Sequence, residues 1–352
     1  MPIFSRVRRL FLGVARLFHP ETLRREGWLW SIGLGLITLL LIIVVIGVFW
    51  SAEPDTFDVR SLALEQVGGD ESRLKPGVTT TTAVIRVAEI LLDKRGGYLT
   101  NDILPPGTYL DNIPNWEFGV VTELRDTARA LRNDFGRAQS QSVEDRDLMI
   151  ADAQFHFDHN SWILPSSEDE YRKGIDALIR YRDRLMDDQL ADGRFFARAD
   201  NLNFYLTTVE KRLGNFAQRL SRNVQELKFE DDPEQMDPIR ESLLRSGELQ
   251  DRTPWFEIDD VFFEARGYVW ALLHTLKGIE SDFQEVFRGK NALGQFHRII
   301  HKLEQTQHTI WSPLILNNSG FGMLTNHSLI MASYISRANA AIIDLRLLLV
   351  EG

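Results

Sequence analysis

Residues Trp28 to Trp50, WLWSIGLGLITLLLIIVVIGVFW, form an uninterrupted run of 23 residues without a charge or a proline. As a helix this run would be about 34 Å long at ~1.5 Å per residue, enough to cross a hydrocarbon layer of ~30 Å with some tilt. Trp28 and Trp30 stand at one end and Trp50 at the other, where indole rings favour the membrane interface. A helix buried in a soluble domain is rarely apolar on every side over such a length. The run therefore reads as a membrane span, and the rest of the chain has to be arranged around it.

Charge sets the expected orientation. Residues 1–50 carry six Arg (6, 8, 9, 16, 24, 25) against Glu21 and Glu26, a net of +4, so of the −10 on the whole chain the other 302 residues carry −14. Arg-rich flanks stay in the cytoplasm, which puts the acidic bulk across the membrane. A body this acidic lacks the basic face that nucleic acid requires. A cleaved signal peptide is the competing reading, but the 27-residue leader is long and Trp50-Ser51-Ala52 is not a small-x-small cleavage site. Without cysteine there are no disulfides and no thiolate chemistry.

Patterning divides the chain into six stretches. Residues 1–27 form a basic segment in which Ile3, Val7, Leu10, Val14 and Leu17 recur at helical spacing opposite Arg8, Arg9 and Arg16, an amphipathic helix suited to an anionic leaflet or a plain topology signal. After the span at 28–50, residues 51–77 read as a stalk, with Pro54, Gly68, Gly69 and Pro76-Gly77 and little periodicity. Residues 78–227 form a helical subdomain and 228–254 an acidic, proline-containing linker; 255–352 form a second helical subdomain packing on the first. The clearest seams are Leu202, Leu206, Val209, Leu213, Phe216, Leu220, Val224, Leu227 and Phe262, Ala265, Val269, Leu272, Leu276, Ile279, Phe283, Val286. Seams of this kind must pack on other helices. Two more helices follow at 291–310 and 328–350; Arg337, Asp344 and Arg346 in the last favour a bundle helix over a second span. No alternating strand pattern is evident. The fold expected is mostly α: one N-terminal transmembrane helix followed by a large helical-bundle domain.

Two loops rich in aromatics interrupt the helices. The first, YLTNDILPPGTYLDNIPNWEFG at 98–119, follows TTTTAVIRVAEILLDKRG; the second is FHFDHNSWILP at 155–165, followed by SEDEYRKGIDAL with a capping-box start at Ser167. These segments resemble the bacterial domain-of-unknown-function family 2333, and the likeness extends over most of 79–350. The resemblance implies a Gram-negative, membrane-anchored envelope protein and supplies no catalytic residues.

Three constellations remain as candidates for chemistry. On 291–310, His297, His301, Glu304 and His308 lie at spacings of 4, 3 and 4, a stripe that could ligate a divalent metal or titrate as a pH sensor, or simply form a polar helix edge. The loops offer Asp102, Asp111 and Asp158 as catalytic carboxylates, and Tyr98, Tyr109, Trp116 and Trp162 as ligand-binding aromatics. Facing carboxylates with aromatic platforms suit a glycan; the plainer reading is a bundle cap with buried tryptophans and turn-forming Asp and Asn. His156 and His159 could add metal ligands. The chain contains no P-loop, no GxSxG elbow and no HExxH on the histidine helix.

The sequence thus leads to a bacterial inner-membrane protein with a cytoplasmic N-terminus and a periplasmic body. The body is expected to serve as a non-catalytic scaffold or adaptor without a cofactor. Its partners would be the lipid bilayer and an envelope protein or a second copy of itself. The alternatives are an enzyme acting on glycan or lipid through the two loops, and a metal or pH sensor using the stripe.

Overall fold

A computed structural model describes residues 27–138, 142–187, 192–225, 258–310 and 326–351, together with His19, Arg25 and Ile315. The amphipathic pattern from Ile3 to Leu17, the acidic linker at 228–254 and the connection between the last two helices from 316 to 325 lie outside these residues. Among the described residues there are eleven α-helices and no strand. The fold is all-helical, with an N-terminal helix long and apolar enough to cross a membrane.

That helix, α1 (Trp28–Trp50), stands apart from the body, and Gly47 is its one buried residue. Its partners lie at its C-terminal end, where Pro106 and Leu110 pack on Gly47, Trp50 on Gly96, and the Arg95 guanidinium lies 4.9 Å from the centre of the Phe49 ring.

Residues 51–77, expected as a stalk, are instead part of the body. Asp58 caps α2 (Val59–Gln66) by accepting from the amides of Arg60 and Ser61, and Val59, Ala63 and Val67 are buried at four-residue spacing. Eight residues are too few to produce a legible period. The preceding extended segment is stitched down at two points. The Phe57 amide donates to Nε2 of buried His274 at 3.1 Å, with the two rings stacked 4.0 Å apart. The Arg266 guanidinium, also buried, donates to Glu53 at 2.6 Å.

Helix α3 (Val78–Asp93) starts at Gly77, whose φ of 93° and close cover by the Phe195 ring suit only glycine. Thr79, Thr80, Thr81 and Thr82 are all buried. Asp282, at the far end of α8 (Ile258–Asp282), accepts from the Thr80 amide at 2.7 Å and so caps α3 across the fold. Burial pushes this carboxyl up to about 6, against the hydrogen bonds it receives from Thr80 and its neighbours.

Helix α4 (Asn112–Ala130) begins inside the stretch expected as the first loop, with Pro114 in its first turn, where a proline's missing N–H costs nothing. A π-helical turn, Leu131–Phe135, extends it. Helices α4 and α8, expected on either side of the 228–254 boundary, pack backbone to backbone: a Cβ on Gly119 would meet the Glu264 carbonyl at 2.0 Å, and one on Gly267 the Trp116 carbonyl at 1.9 Å. One continuous core runs from α2 to the C-terminal helix.

The remaining elements complete this core: α5 (Arg146–Phe155), α6 (Ser167–Met186), α7 (Ala199–Gln225), α9 (Gln284–Gly289), α10 (Leu293–Gln305) and α11 (His327–Glu351). Among the described side chains both seams face inward as their spacing predicts: Leu202, Leu206, Val209, Leu213, Phe216 and Leu220 on α7 are buried, as are the seam residues from Phe262 to Ile279 on α8 and Phe283 after it; Val286 is half-buried, and the side chains of Val224 and Leu227 lie outside the described ones. Helix α11 packs on α7 and α10. Two of its charges are held there, Arg346 by Asn203 and Glu210 and Asp344 by Gln295, while Arg337 is exposed. This helix belongs to the bundle.

Candidate functional site

The two aromatic loops converge. The Tyr98 hydroxyl donates to the His159 carbonyl at 2.8 Å, and the Asn101 side chain donates to the Ser161 carbonyl at 2.8 Å and to Glu168 at 2.7 Å. The Phe118 and His159 rings lie 4.8 Å apart. The cap of α6 is Ser166, one residue before the expected position. The buried Ser167 hydroxyl is left to bond the Asp158 carbonyl at 2.7 Å and the Ser161 amide at 3.1 Å, closing the second loop on itself.

Beneath the first loop lies a buried charge. The Glu117 carboxylate accepts from the amides of Leu99 and Thr100 at 2.9 and 2.8 Å, from the Thr100 hydroxyl and from Lys94 Nζ, which also bonds the Gly97 carbonyl. Both side chains are within 2% of complete burial. Burial pushes the carboxyl up, and the ammonium and amide donors pull it back. A carboxylate surrounded solely by donors is ionised, and the pair acts as a rivet between the end of α3, the loop and α4.

This arrangement redistributes the roles expected for the loop residues. Trp116 is fully buried, 5.2 Å from Trp270, and Tyr98 is buried against Tyr171. They are core, so neither offers a ligand platform. Tyr109 and Trp162 are exposed. Asp111 caps α4 through the Asn112 amide, and Asp158 forms a turn with the Asn160 amide. Asp102 is half-buried; burial raises its pKa, and the neighbouring Glu168 charge raises it further. Asp102 has Glu168 as a neighbouring carboxylate and Asp111 has Asp259, neither of them among the candidates drawn from the sequence.

Besides the polar Thr108, Asp111, His156, Asp158 and Asn160, the loops expose a set of large apolar side chains. Ile103, Leu104 and Tyr109 project from the first and Trp162, Ile163 and Leu164 from the second, each more than half exposed. Leu164 is 90% exposed and has a φ of 61°, a conformation that costs a non-glycine residue about 1–3 kcal/mol. The sequence signal was available: both loops contain Ile-Leu-Pro, at 103–105 and 163–165.

A cavity of about 760 Å³ lies between the segment leaving α1 and helix α8. Glu53, Arg266, Trp270, Lys277, Glu304 and His308 are among its lining residues. Arg266 is fixed by Glu53 and by the Thr306 carbonyl at 2.7 Å. Three buried polar atoms on its walls have no partner among the described residues: Glu53 Oε1, Asn112 Oδ1 and Trp270 Nε1. Beside it, His274 donates from Nδ1 to the Trp270 carbonyl at 2.7 Å and accepts at Nε2, which fixes a neutral tautomer. Burial pulls its pKa down to about 4.

The histidine stripe is not gathered into one site. His297 pairs with Glu280 at 2.6 Å, Glu304 with Lys277 at 2.8 Å, and His308 with Gln305 at 3.2 Å, while His301 stays exposed. Among the described residues no group of three or more His, Cys, Asp or Glu is close enough to hold a metal ion. Likewise His156 and His159 take separate partners, Asp152 and Asp158.

No curated protein and no solved structure matches the chain. A family model matches almost the whole chain, from residue 23 to residue 352. The chain belongs to the DUF2333 family, described as an uncharacterized protein conserved in bacteria.

Proposed function

We propose that the protein is a non-catalytic scaffold of the bacterial envelope, anchored in the inner membrane by α1 with its N-terminus cytoplasmic and its acidic body periplasmic. The observation that carries this reading is the attachment of the body to the end of α1. Glu53–Arg266, the Phe57 amide on His274 and the packing of Pro106 and Leu110 on Gly47 leave no free tether. A body fixed in this way presents the same faces at the same height above the membrane, as an adaptor requires and a diffusing enzyme does not. The asymmetry of +4 against −14 supports the orientation. Its partner would be an envelope protein or a second copy of the chain.

In-cell crosslinking in the native membrane, read by mass spectrometry, tests this. A reproducible envelope partner or self-association is the expected result; a lone monomer under all crosslinking conditions would end the scaffold reading. The chain has no native cysteine, so a cysteine introduced at Asp176, an exposed position on α6, tests the topology. A membrane-impermeant maleimide should label it from the periplasm in intact spheroplasts.

A further inference from the structure

The exposed apolar tips of the two loops have no counterpart inside the body, yet the contacts beneath them fix where they point. Pro106 and Leu110, in the same loop as Ile103, Leu104 and Tyr109, touch α1 at Gly47. Gly47 is three residues before Trp50, about 4.5 Å inside the end of the helix at ~1.5 Å per residue. The first loop therefore reaches down alongside the span. The second, which carries Trp162, Ile163 and Leu164, is held against it by the Tyr98–His159 and Asn101–Ser161 hydrogen bonds.

We propose that these two tips insert into the headgroup–acyl boundary of the leaflet from which α1 emerges, giving the body a second, monotopic footing beside its span. The occupant of this apolar surface is lipid. The contact with Gly47 brings the first loop alongside the last turn of a helix that reads as a span, at the level where hydrocarbon gives way to headgroups. The chemistry of the tips agrees: Tyr109 and Trp162 are the aromatic types that favour this boundary, and Ile103, Leu104, Ile163 and Leu164 are aliphatic and suited to its inner side. Asp102 is half-buried, while Asp111 and Asp158 are exposed and each bonds a backbone amide of its own loop, so these two charges have to stay in the headgroup layer while the apolar tips go deeper. The Lys94–Glu117 rivet holds the first loop rigid, so insertion orders no flexible segment. The proposal rests on α1 spanning the bilayer, and its test separates the two.

Single cysteines at Leu40, Leu104, Leu164 and Asp176 in the full chain, labelled with an environment-sensitive fluorophore, are placed in phosphatidylethanolamine–phosphatidylglycerol vesicles. The vesicles contain lipids with a nitroxide either near the headgroup or deep in the acyl chain. At Leu40 the deep nitroxide should quench more strongly, and at Asp176 neither should quench. Leu104 and Leu164 should shift to the blue and be quenched most by the shallow nitroxide. If both tip positions behave like Asp176 while Leu40 is quenched, the footing is wrong and the anchor stands. If Leu40 escapes quenching as well, the anchor and the footing fall together.

Discussion

The loop pair and the histidine stripe on α10 contain the same kinds of side chain, and the fold uses them in opposite ways. In the loops Glu117, Lys94, Tyr98, Asn101 and Ser167 turn inward and bond backbone or one another in buried or half-buried places, while Ile103, Leu104, Tyr109, Trp162, Ile163 and Leu164 are left outside. On α10 the apolar residues Phe296, Ile299, Ile300 and Leu303 turn inward, and His297 and Glu304 pair separately with the adjacent α8 at a wet edge. A buried ion with several fixed donors determines the shape of the chain around it, because leaving any member unpaired costs the desolvation of a charge. An exposed pair determines little, since water replaces either partner at small cost.

Removing the cation from the rivet tests this contrast most severely. Lys94→Met leaves the Glu117 carboxylate buried without its counter-charge and should destabilise the chain by about 3–5 kcal/mol, measured by chemical denaturation of the full chain in detergent. Adding Glu117→Gln should recover part of the loss, because the amide oxygen still accepts from Leu99 and Thr100. A single variant as stable as the parent would contradict the role assigned to the pair.

A second buried carboxylate on the same helix supplies the control without a cation. Glu123 is fully buried, accepts from Thr127 at 2.6 Å and Tyr205 at 3.2 Å, and has Asp126 as an unfavourable neighbour. Burial lifts its pKa from 4.5 to about 7. Between these values the folded chain keeps a proton that the unfolded chain has lost, so stability falls as pH rises through that window and is level on either side. The full change is about 3 kcal/mol at ~1.36 kcal/mol per pH unit. His274, with a folded pKa of about 4 against 6.5, has the opposite slope between those values. The difference between the parent and Glu123→Gln across pH 4.5–7 therefore isolates Glu123. Parallel pH profiles would mean that Glu123 is ionised in the folded state.

The smallest effect is expected on the stripe. His297→Ala removes an exposed pair with Glu280 and should cost no more than about 1 kcal/mol, and less at high salt. A loss as large as that at Lys94 would erase the distinction between the two regions.

Legibility followed the range of the interaction. The α1 span and the seams of α7 and α8 were readable because burial there repeats at the helical period within one segment. Helix α2 was missed because eight residues with two inward positions leave no such period, and the start of α4 was hidden by the prolines and asparagines around it. Trp116 and Tyr98 looked like binding aromatics, because an aromatic ring in a polar loop has the same local signature whether it caps a core or faces water. The repeated Ile-Leu-Pro was visible, but nothing in the sequence indicated that both copies would be exposed side by side.

The sequence by itself determined that one helix is apolar enough to cross a membrane, that the rest is helical, and that charge is divided unevenly between the two. These follow from composition and period, which each segment carries alone. Only the tertiary structure decided that the body grips the end of that helix and that the two loops are bonded to each other. It also decided that Glu117 is a structural ion while Asp111 and Asp158 cap and turn. The energy of a buried charge depends on partners distant in sequence: Lys94 lies 23 residues from Glu117, Glu53 lies 213 residues from Arg266, and Phe57 lies 217 residues from His274. No local pattern encodes those distances, because they arise only when the helices pack.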